Sequence, residues 1–339
     1  MLGRIEGQLA RARLSEWALH AEREIAMTTV TAAMVKELRE RTGAGMMDCK
    51  QALTENAGNV DAAIDWLRKK GLSKAAKKSG RITAQGLIGV AVEANRGAIV
   101  EVNSETDFVA RNEQFQDMVR KIADCAIAAG GDLAKLLAMP YPGKAVTVEE
   151  FVKETIATIG ENMSLRRTAA VKVGTGVIAD YIHGKLASGV GKIGVLVALE
   201  SKGDKAKTAG LARQLALHIA AANPLAVSVE DLDKEIVARE REIYAEQAMA
   251  SGKPREIVEK MVDGRLRKEF YQQVVLMQQV FLGEGGDGKQ TVEQVIKAAE
   301  KTTGAPITVT KFVRYALGEG IERQDDDFAA EVAAAVKRG

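Results

Sequence analysis

The sequence predicts an α+β protein. It reads as a small three-helix N-terminal module, a two-part core of repeated ββα…αβ subdomains, an inserted helical hairpin and a C-terminal helix. Three observations carry this reading. Apolar residues recur at helical spacing in the first part of the chain, then switch to strand-like alternation from Leu87. A later stretch repeats an earlier one at constant spacing. The second copy is interrupted by a long charged, helix-patterned segment that the first lacks.

Residues 1–26 stand apart. Leu14, Trp17, Ala18, Ala21 and Ile25 fall at helical spacing, and Arg4, Arg11, Arg13 and Arg23 are balanced by Glu6, Glu16, Glu22 and Glu24. Transit peptides are poor in acids, so no targeting signal is read here. Met27 is a natural start, and 1–26 is expected to be an extension outside the functional fold. From 27 to 72 three helices are expected. The first, 31–42, carries Met34, Val35 and Leu38 and stops at Gly43. The second, 46–55, carries Met47, Cys49 and Leu53. The third is capped by Asn59 and is expected to end at Gly71. Such a bundle of roughly 45 residues is near the lower limit of independent stability. It has the rhythm of ubiquitin-associated-type (UBA-like) modules, which dock partners and hold no active site. Residues 73–85 are expected to be a basic linker, continuing the run Lys69, Lys70, Lys74, Lys77, Lys78, Arg81. Charge runs are usually solvated.

The core follows. Residues 86–176 form the first subdomain. Strands at 87–92 and 98–102 meet at Asn95-Arg96-Gly97, and a helix carries Phe115, Met118, Val119, Ile122 and Ala126 until Pro140 breaks it. A helix at 149–159 and a strand at 165–173 complete it. Residues 177–223 and 286–322 form the second subdomain. Gly97-Ala98-Ile99-Val100 matches Gly194-Val195-Leu196-Val197, and Thr147-Val148-Glu149 matches Thr291-Val292-Glu293. The two offsets, 97 and 144, differ by 47 residues, so the second copy holds an insertion. Residues 224–285 supply it. Ile236, Ile243, Ala248, Ile257, Met261, Leu266 and Phe270 surround a break at Ser251-Gly252-Lys253-Pro254, which reads as an antiparallel hairpin. Residues 276–282 return as a strand or helix end. In the C-terminal module, 323–339, Asp325-Asp326-Asp327 caps a helix at 328–336.

Composition narrows function. The 339 residues carry 48 Lys+Arg against 46 Asp+Glu, a net charge of +2, which gives no general reason to hold nucleic acid. No apolar run approaches the roughly 18–20 residues needed to span a bilayer. Cys49 and Cys125 form no Cys-x-x-Cys and fit a reducing cytoplasm. His20, His183 and His218 stand in no metal-ligand spacing. Gly189-Val190-Gly191-Lys192-Ile193-Gly194 is a literal Gly-x-Gly-x-x-Gly, but it opens a strand rather than a helix, so it reads as a hairpin turn. No catalytic constellation, cofactor motif or metal site emerges, and a binding protein rather than an enzyme is expected.

One stretch is out of character: Thr106-Asp107-Phe108-Val109, at the corner between the second strand and the helix opening near Asn112. Phe108 is one of only 7 Phe, and two readings stand open. It is a lid folded onto the core, as buried aromatics are, or a wedge that enters a partner. At the matching corner the second copy has Glu200-Ser201-Lys202-Gly203-Asp204, with no aromatic. A Phe needed only to close the fold should have a counterpart there, which favours the wedge.

The run Val35-Lys36-Glu37-Leu38-Arg39-Glu40-Arg41-Thr42-Gly43-Ala44-Gly45-Met46-Met47-Asp48-Cys49-Lys50 resembles the N-terminal signature of the bacterial translation elongation factor Ts family. The run Glu101-Val102-Asn103-Ser104-Glu105-Thr106-Asp107-Phe108-Val109-Ala110 resembles its second signature, and Asp327-Phe328-Ala329-Ala330-Glu331-Val332-Ala333 its C-terminal module. The resemblance implies a nucleotide-exchange factor for the GTPase elongation factor Tu. Thr106, Asp107, Phe108 and Val109 would help dislodge the GTPase's Mg²⁺. Arg39, Met46, Met47 and His183 would be docking contacts, and the hairpin would serve self-association. The competing reading is an RNA-associated or scaffold protein that uses the basic stretch and the hairpin.

Overall fold

The computed structural model describes residues 30–250, 254–283 and 288–321. The 1–26 extension, the Gly252-Lys253 break and the C-terminal helix lie outside them. The chain divides into two compact units. One takes in the N-terminal module up to Arg81 together with Glu150–Met163; the other holds Ile82–Glu149 and the chain from Ser164 onward.

The first unit contains α1 (Ala32–Thr42), α2 (Met46–Glu55) and α3 (Val60–Lys78). Leu38, Cys49, Ala52, Leu53 and Ala63 form its core, flanked by Met34, Val35, Ile64, Trp66 and Leu67. Thr31 caps α1 by accepting the Met34 N–H, and Asn59 caps α3 by accepting that of Ala62. Gly43 ends α1 in the left-handed conformation.

Two expectations need correction here. α3 does not end at Gly71, and 73–85 is not wholly a linker, because the helix runs on to Lys78. Gly71 serves close packing instead: a Cβ there would lie 3.0 Å from the Cβ of Ala157. Ala157 belongs to α7 (Val148–Ile159), whose residues from Glu150 onward were expected in the first core subdomain. They sit in this unit because Arg68 of α3 pairs with Glu150 and Glu154, at 3.0 and 3.4 Å, and Asn162 donates to the Arg81 carbonyl. The Lys- and Ala-rich composition after Gly71 favours helix, and the packing against α7 overrides the single glycine.

The second unit holds two sheets. β1 (Gln85–Glu93), β2 (Arg96–Ser104), β3 (Met163–Lys172) and β5 (Val190–Gly191) form one, in the order β3-β2-β1-β5. β4 (Gly176–His183), β6 (Ile193–Glu200) and β7 (Thr308–Ala316) form the other, in the order β4-β6-β7. The sheets pack through Ile88, Val90, Ile99, Val171, Val173, Leu196 and Ala198. The intervening residues face the other way, as the period of two requires. Gly89 meets Val119 of α5 (Glu113–Ala129), while Val195, Val197 and Leu199 meet Leu211, Leu215 and Ile219 of α8 (Lys205–Ala222) and Ile296 of α12 (Val292–Thr303). Both faces of β1, β2 and β6 are therefore buried along most of their length, which explains runs such as Leu87-Ile88-Gly89-Val90 that alternate only weakly.

Two helices recur at the spacing read from the sequence. α7 and α12 differ by 144 residues at both ends, and each is followed by a glycine of positive φ, Gly160 and Gly304. Gly86 pairs with Asn103 in one hairpin and Gly176 with Glu200 in the other. At both glycines a Cβ would meet the partner strand's carbonyl oxygen, at 2.2 and 2.0 Å. No other residue type fits either place. The Gly189–Gly194 stretch connects β4 to β6, as a hairpin turn should, and also contributes β5 to the edge of the other sheet. Its Gly191 and Gly194 are small because Ile182 and Ile88 press on them.

Elsewhere the outlines shift. The helix bearing Phe115 stops at Gly130 rather than at Pro140, and a further helix, α6 (Leu133–Ala138), intervenes. The hairpin consists of α9 (Lys234–Met249) and α10 (Arg255–Arg265), continued by a π-helical turn at Leu266–Tyr271 and the short α11 (Gln272–Val274). Tyr244, Ala248, Val258, Val262 and Leu266 form its seam. Ile236, Ile243 and Ile257 lie off that seam and are exposed. Residues 276–282 hold one 3₁₀ turn, Leu276–Gln278, then extended chain.

Candidate partner-docking site

The tip forms a single helical turn, α4 (Asp107–Ala110), between β2 and α5. Thr106 is its extended N-cap residue, and the Ser104 hydroxyl donates to the Thr106 carbonyl at 2.9 Å. Asp107 is exposed and lies 3.7 Å from Arg111. Phe108 is 73% exposed, whereas Val109 is only 4% exposed. Beyond it the Gln116 amide donates to the Ala110 carbonyl at 2.9 Å, and Asn112 caps α5 by accepting the Gln114 N–H. Val109 and Ala110 of the turn are thus rooted in the core while Phe108 is presented to solvent. Exposing so large an aromatic is unfavourable for an isolated protein.

Comparing the two copies shows what the turn adds. From Asn103 to Glu200, which hold equivalent places in their hairpins, the offset is 97. The buried faces of the following helices match at 93. Phe115, Met118, Val119, Ile122, Ala123 and Ala126 fall on Thr208, Leu211, Ala212, Leu215, Ala216 and Ile219. The first copy therefore carries four extra residues between strand and helix, the length of α4. Asp204 caps α8 directly, without such a turn. The equivalent corner between β6 and α8 thus closes without one.

The other candidate residues are on the surface. Arg39 on α1 and Met46 and Met47 at the start of α2 belong to the first unit; the two methionines are 60% and 75% exposed. His183, at the end of β4 in the second unit, is exposed, and the Tyr181 hydroxyl lies 3.4 Å from its Nδ1. The basic stretch is partly engaged within its own unit. Lys70 and Lys74 both hold Asp48, at 3.1 and 3.0 Å, and Lys78 donates to the Gly160 carbonyl. The hydrogen bond from Lys74 is the main reason the Asp48 carboxyl sits below its ordinary range; Lys70 adds to it against the cost of burial. Among the described residues no group of three or more His, Cys, Asp or Glu is placed to hold a metal ion, and no helix is long and apolar enough to cross a membrane.

The sequence reading missed Glu101. It is fully buried on β2, six residues before the tip. Its Oε1 accepts from the Gly318 N–H at 2.8 Å, from Asn103 at 3.0 Å and from Arg166 at 3.2 Å, and Arg167 holds Oε2. Burial alone would raise its pKa. The Gly318 N–H, the Asn103 amide and the Arg167 charge outweigh that and hold it below the usual glutamate range. A lone carboxylate in Ile99-Val100-Glu101-Val102 was the available signal.

A model of the family described as "Elongation factor TS" matches residues 105–319, a span that opens at the tip and takes in both core copies and the hairpin. The chain belongs to the elongation factor Ts family. The chain is 58% identical to the elongation factor Ts of Parvibaculum lavamentivorans over 311 residues, 92% of this chain and all of that one. It is 56% identical to that of Rhodospirillum centenum over 307 residues, and 56% identical to that of Sinorhizobium fredii over 309 residues. Each of these alignments covers 91% of this chain and 99% of the relative.

Proposed function

We propose that this chain is a guanine-nucleotide exchange factor of translation elongation, which binds elongation factor Tu·GDP and speeds GDP release. The observation that carries the reading is Phe108: an exposed aromatic on a four-residue turn that the equivalent corner of the second copy lacks, rooted by the buried Val109 beside it. Membership of the family supports elongation factor Tu as the partner.

The physics requires no catalytic group. A GTPase holds GDP through phosphate contacts and through Mg²⁺, which offsets the charge of the diphosphate. A protein that binds the nucleotide-free GTPase more tightly than the GDP-bound form must lower GDP affinity by the same factor. Phe108 enters between elements near the metal and shifts them, and packed interfaces answer small intrusions with discrete rearrangements. Thr106 and Asp107 flank the wedge, while Val109 anchors it. With the ion displaced, the diphosphate is poorly neutralised and leaves, and GTP takes the site. The three-helix module acts as a ubiquitin-associated-type docking unit through Arg39, Met46 and Met47, and His183 contributes from the second core copy. The hairpin serves self-association. The RNA-binding alternative draws little support, since Lys70 and Lys74 are already paired with Asp48.

Release of a fluorescent GDP analogue from elongation factor Tu tests this. The wild-type chain should accelerate release, and Phe108→Ala should lower the saturating rate at least ten-fold. No acceleration by the wild type would remove the function; an unimpaired mutant would remove the wedge.

A further inference from the structure

Glu101 sits where the chemistry of the fold does not need it. Its counterpart in the second copy is Ala198, 97 residues on, which packs in the same layer between the sheets. The second copy does meet the matching glycine N–H, that of Gly174, but does so with the exposed Glu200 at 3.3 Å. The first copy instead buries a carboxylate completely and surrounds it with two guanidinium groups. A buried ion cluster gives little net stability over apolar packing of the same volume. What it does give is a single allowed geometry, because every misalignment leaves a charge unpaired in the interior.

That geometry concerns the strand carrying the tip. Glu101 binds β2 to three neighbours. Through Arg166 and Arg167 it holds β3; through the Gly318 N–H it holds the turn after β7; through Asn103 it holds its own strand, whose side-chain amide also donates to the Gln85 carbonyl of β1. Arg167 extends the cluster by donating to the Ala316 carbonyl and stacking 4.1 Å from the centre of the Tyr315 ring. Both features that distinguish the first copy, the buried carboxylate and the four-residue turn, therefore lie on one strand and its exit.

We propose that Glu101 is a positioning residue for exchange: it fixes the end of β2 so that Phe108 is presented in one orientation. This rests on the exchange reading above. The test is fluorescent-GDP release from elongation factor Tu over a range of concentrations of the full chain, at a temperature where a melting curve shows each variant folded. Glu101→Gln removes the charge but keeps the shape. Its saturating rate should fall about ten-fold while the half-saturating concentration changes less than two-fold. Glu101→Asp should recover part of the rate. Arg167→Lys, which loosens the same cluster without leaving a buried unpaired carboxylate, should fall in the same direction and covers the case in which Glu101→Gln does not fold. In a Phe108→Ala background, Glu101→Gln should cause no further drop, because its effect passes through that side chain. Wild-type saturating rates in folded Glu101→Gln or Arg167→Lys, or a full additional loss in the Phe108→Ala background, would overturn the positioning role and leave exchange standing. No acceleration by the wild type would overturn the exchange reading and this role with it.

Discussion

Phe108 and Val109 are adjacent and have opposite environments, and that contrast decides what each does. Phe108 touches little of its own protein, so its removal should leave stability within about 0.5 kcal/mol. Val109→Ala removes buried apolar volume and should cost about 1–2 kcal/mol. Denaturant melts of the two variants beside their GDP-release rates separate these effects. Phe108→Ala should lose exchange with an unchanged midpoint, while Val109→Ala should lower the midpoint and lose exchange only in part. The sequence flagged the tip but treated its four residues as one contact group. Which side chain turns inward depends on a single helical turn between a strand end and Gln116, and nothing in a four-residue pattern sets that phase.

At the scale of elements, the turn Asp107–Ala110 is an addition to a corner that closes without it in the second copy. Deleting those four residues should give a protein that still unfolds cooperatively, with a melting temperature lowered by several degrees, since Val109 and Ala110 lose their burial. It should show no exchange. A chain that fails to fold would mean the corner is structural after all. The repeat itself was legible because it repeats chemistry: Gly160 and Gly304 end helices, and Thr147-Val148-Glu149 returns as Thr291-Val292-Glu293. The four-residue offset was not, because it appears only when the buried faces of α5 and α8 are aligned. The course of α3 was misread for a related reason. A glycine that ends a helix and a glycine that lets a second helix approach are the same letter. Only the place of Ala157 tells them apart.

For the molecule as a whole, two fully buried groups among the described residues, His218 and Glu101, contribute to the response to acid. His218 is fully buried on α8. Its Nδ1 accepts the Leu282 N–H at 3.2 Å, so the ring proton is on Nε2 and is donated to Gln279 at 2.9 Å. Burial pushes its pKa below the ordinary 6.5, against the pull of Gln279. A depressed histidine contributes stability that is complete above about pH 6.5 and is lost as pH falls toward the folded value. Glu101, held below 4.5, contributes stability present above that pH and lost as pH falls further. Melting temperature should therefore decline in two stages, the first below about pH 6.5 and the second below about pH 4.5. His218→Gln should flatten the first stage, and Glu101→Gln should reduce the second, to which the depressed Asp48 and Asp117 also contribute. A single decline, unchanged by either substitution, would refute the assignment. The clasp of His218 on Leu282 joins residues 64 positions apart, which no local pattern encodes.

The α+β class, the helices of the N-terminal module, the recurrence of helices 144 residues apart and the family were legible along the chain. All of these rest on local periodicity, turn chemistry or recurrence along the chain. Tertiary structure alone decided which face of the tip is buried, that α3 passes Gly71, that Ile236, Ile243 and Ile257 lie off the hairpin seam, and that Glu101 ties β2 to the glycine turn 217 residues later. The physical reason is common to these cases. An amphipathic pattern fixes how a segment folds, but burial and ion pairing are properties of two segments, and the partner's identity is settled only when the chain closes on itself.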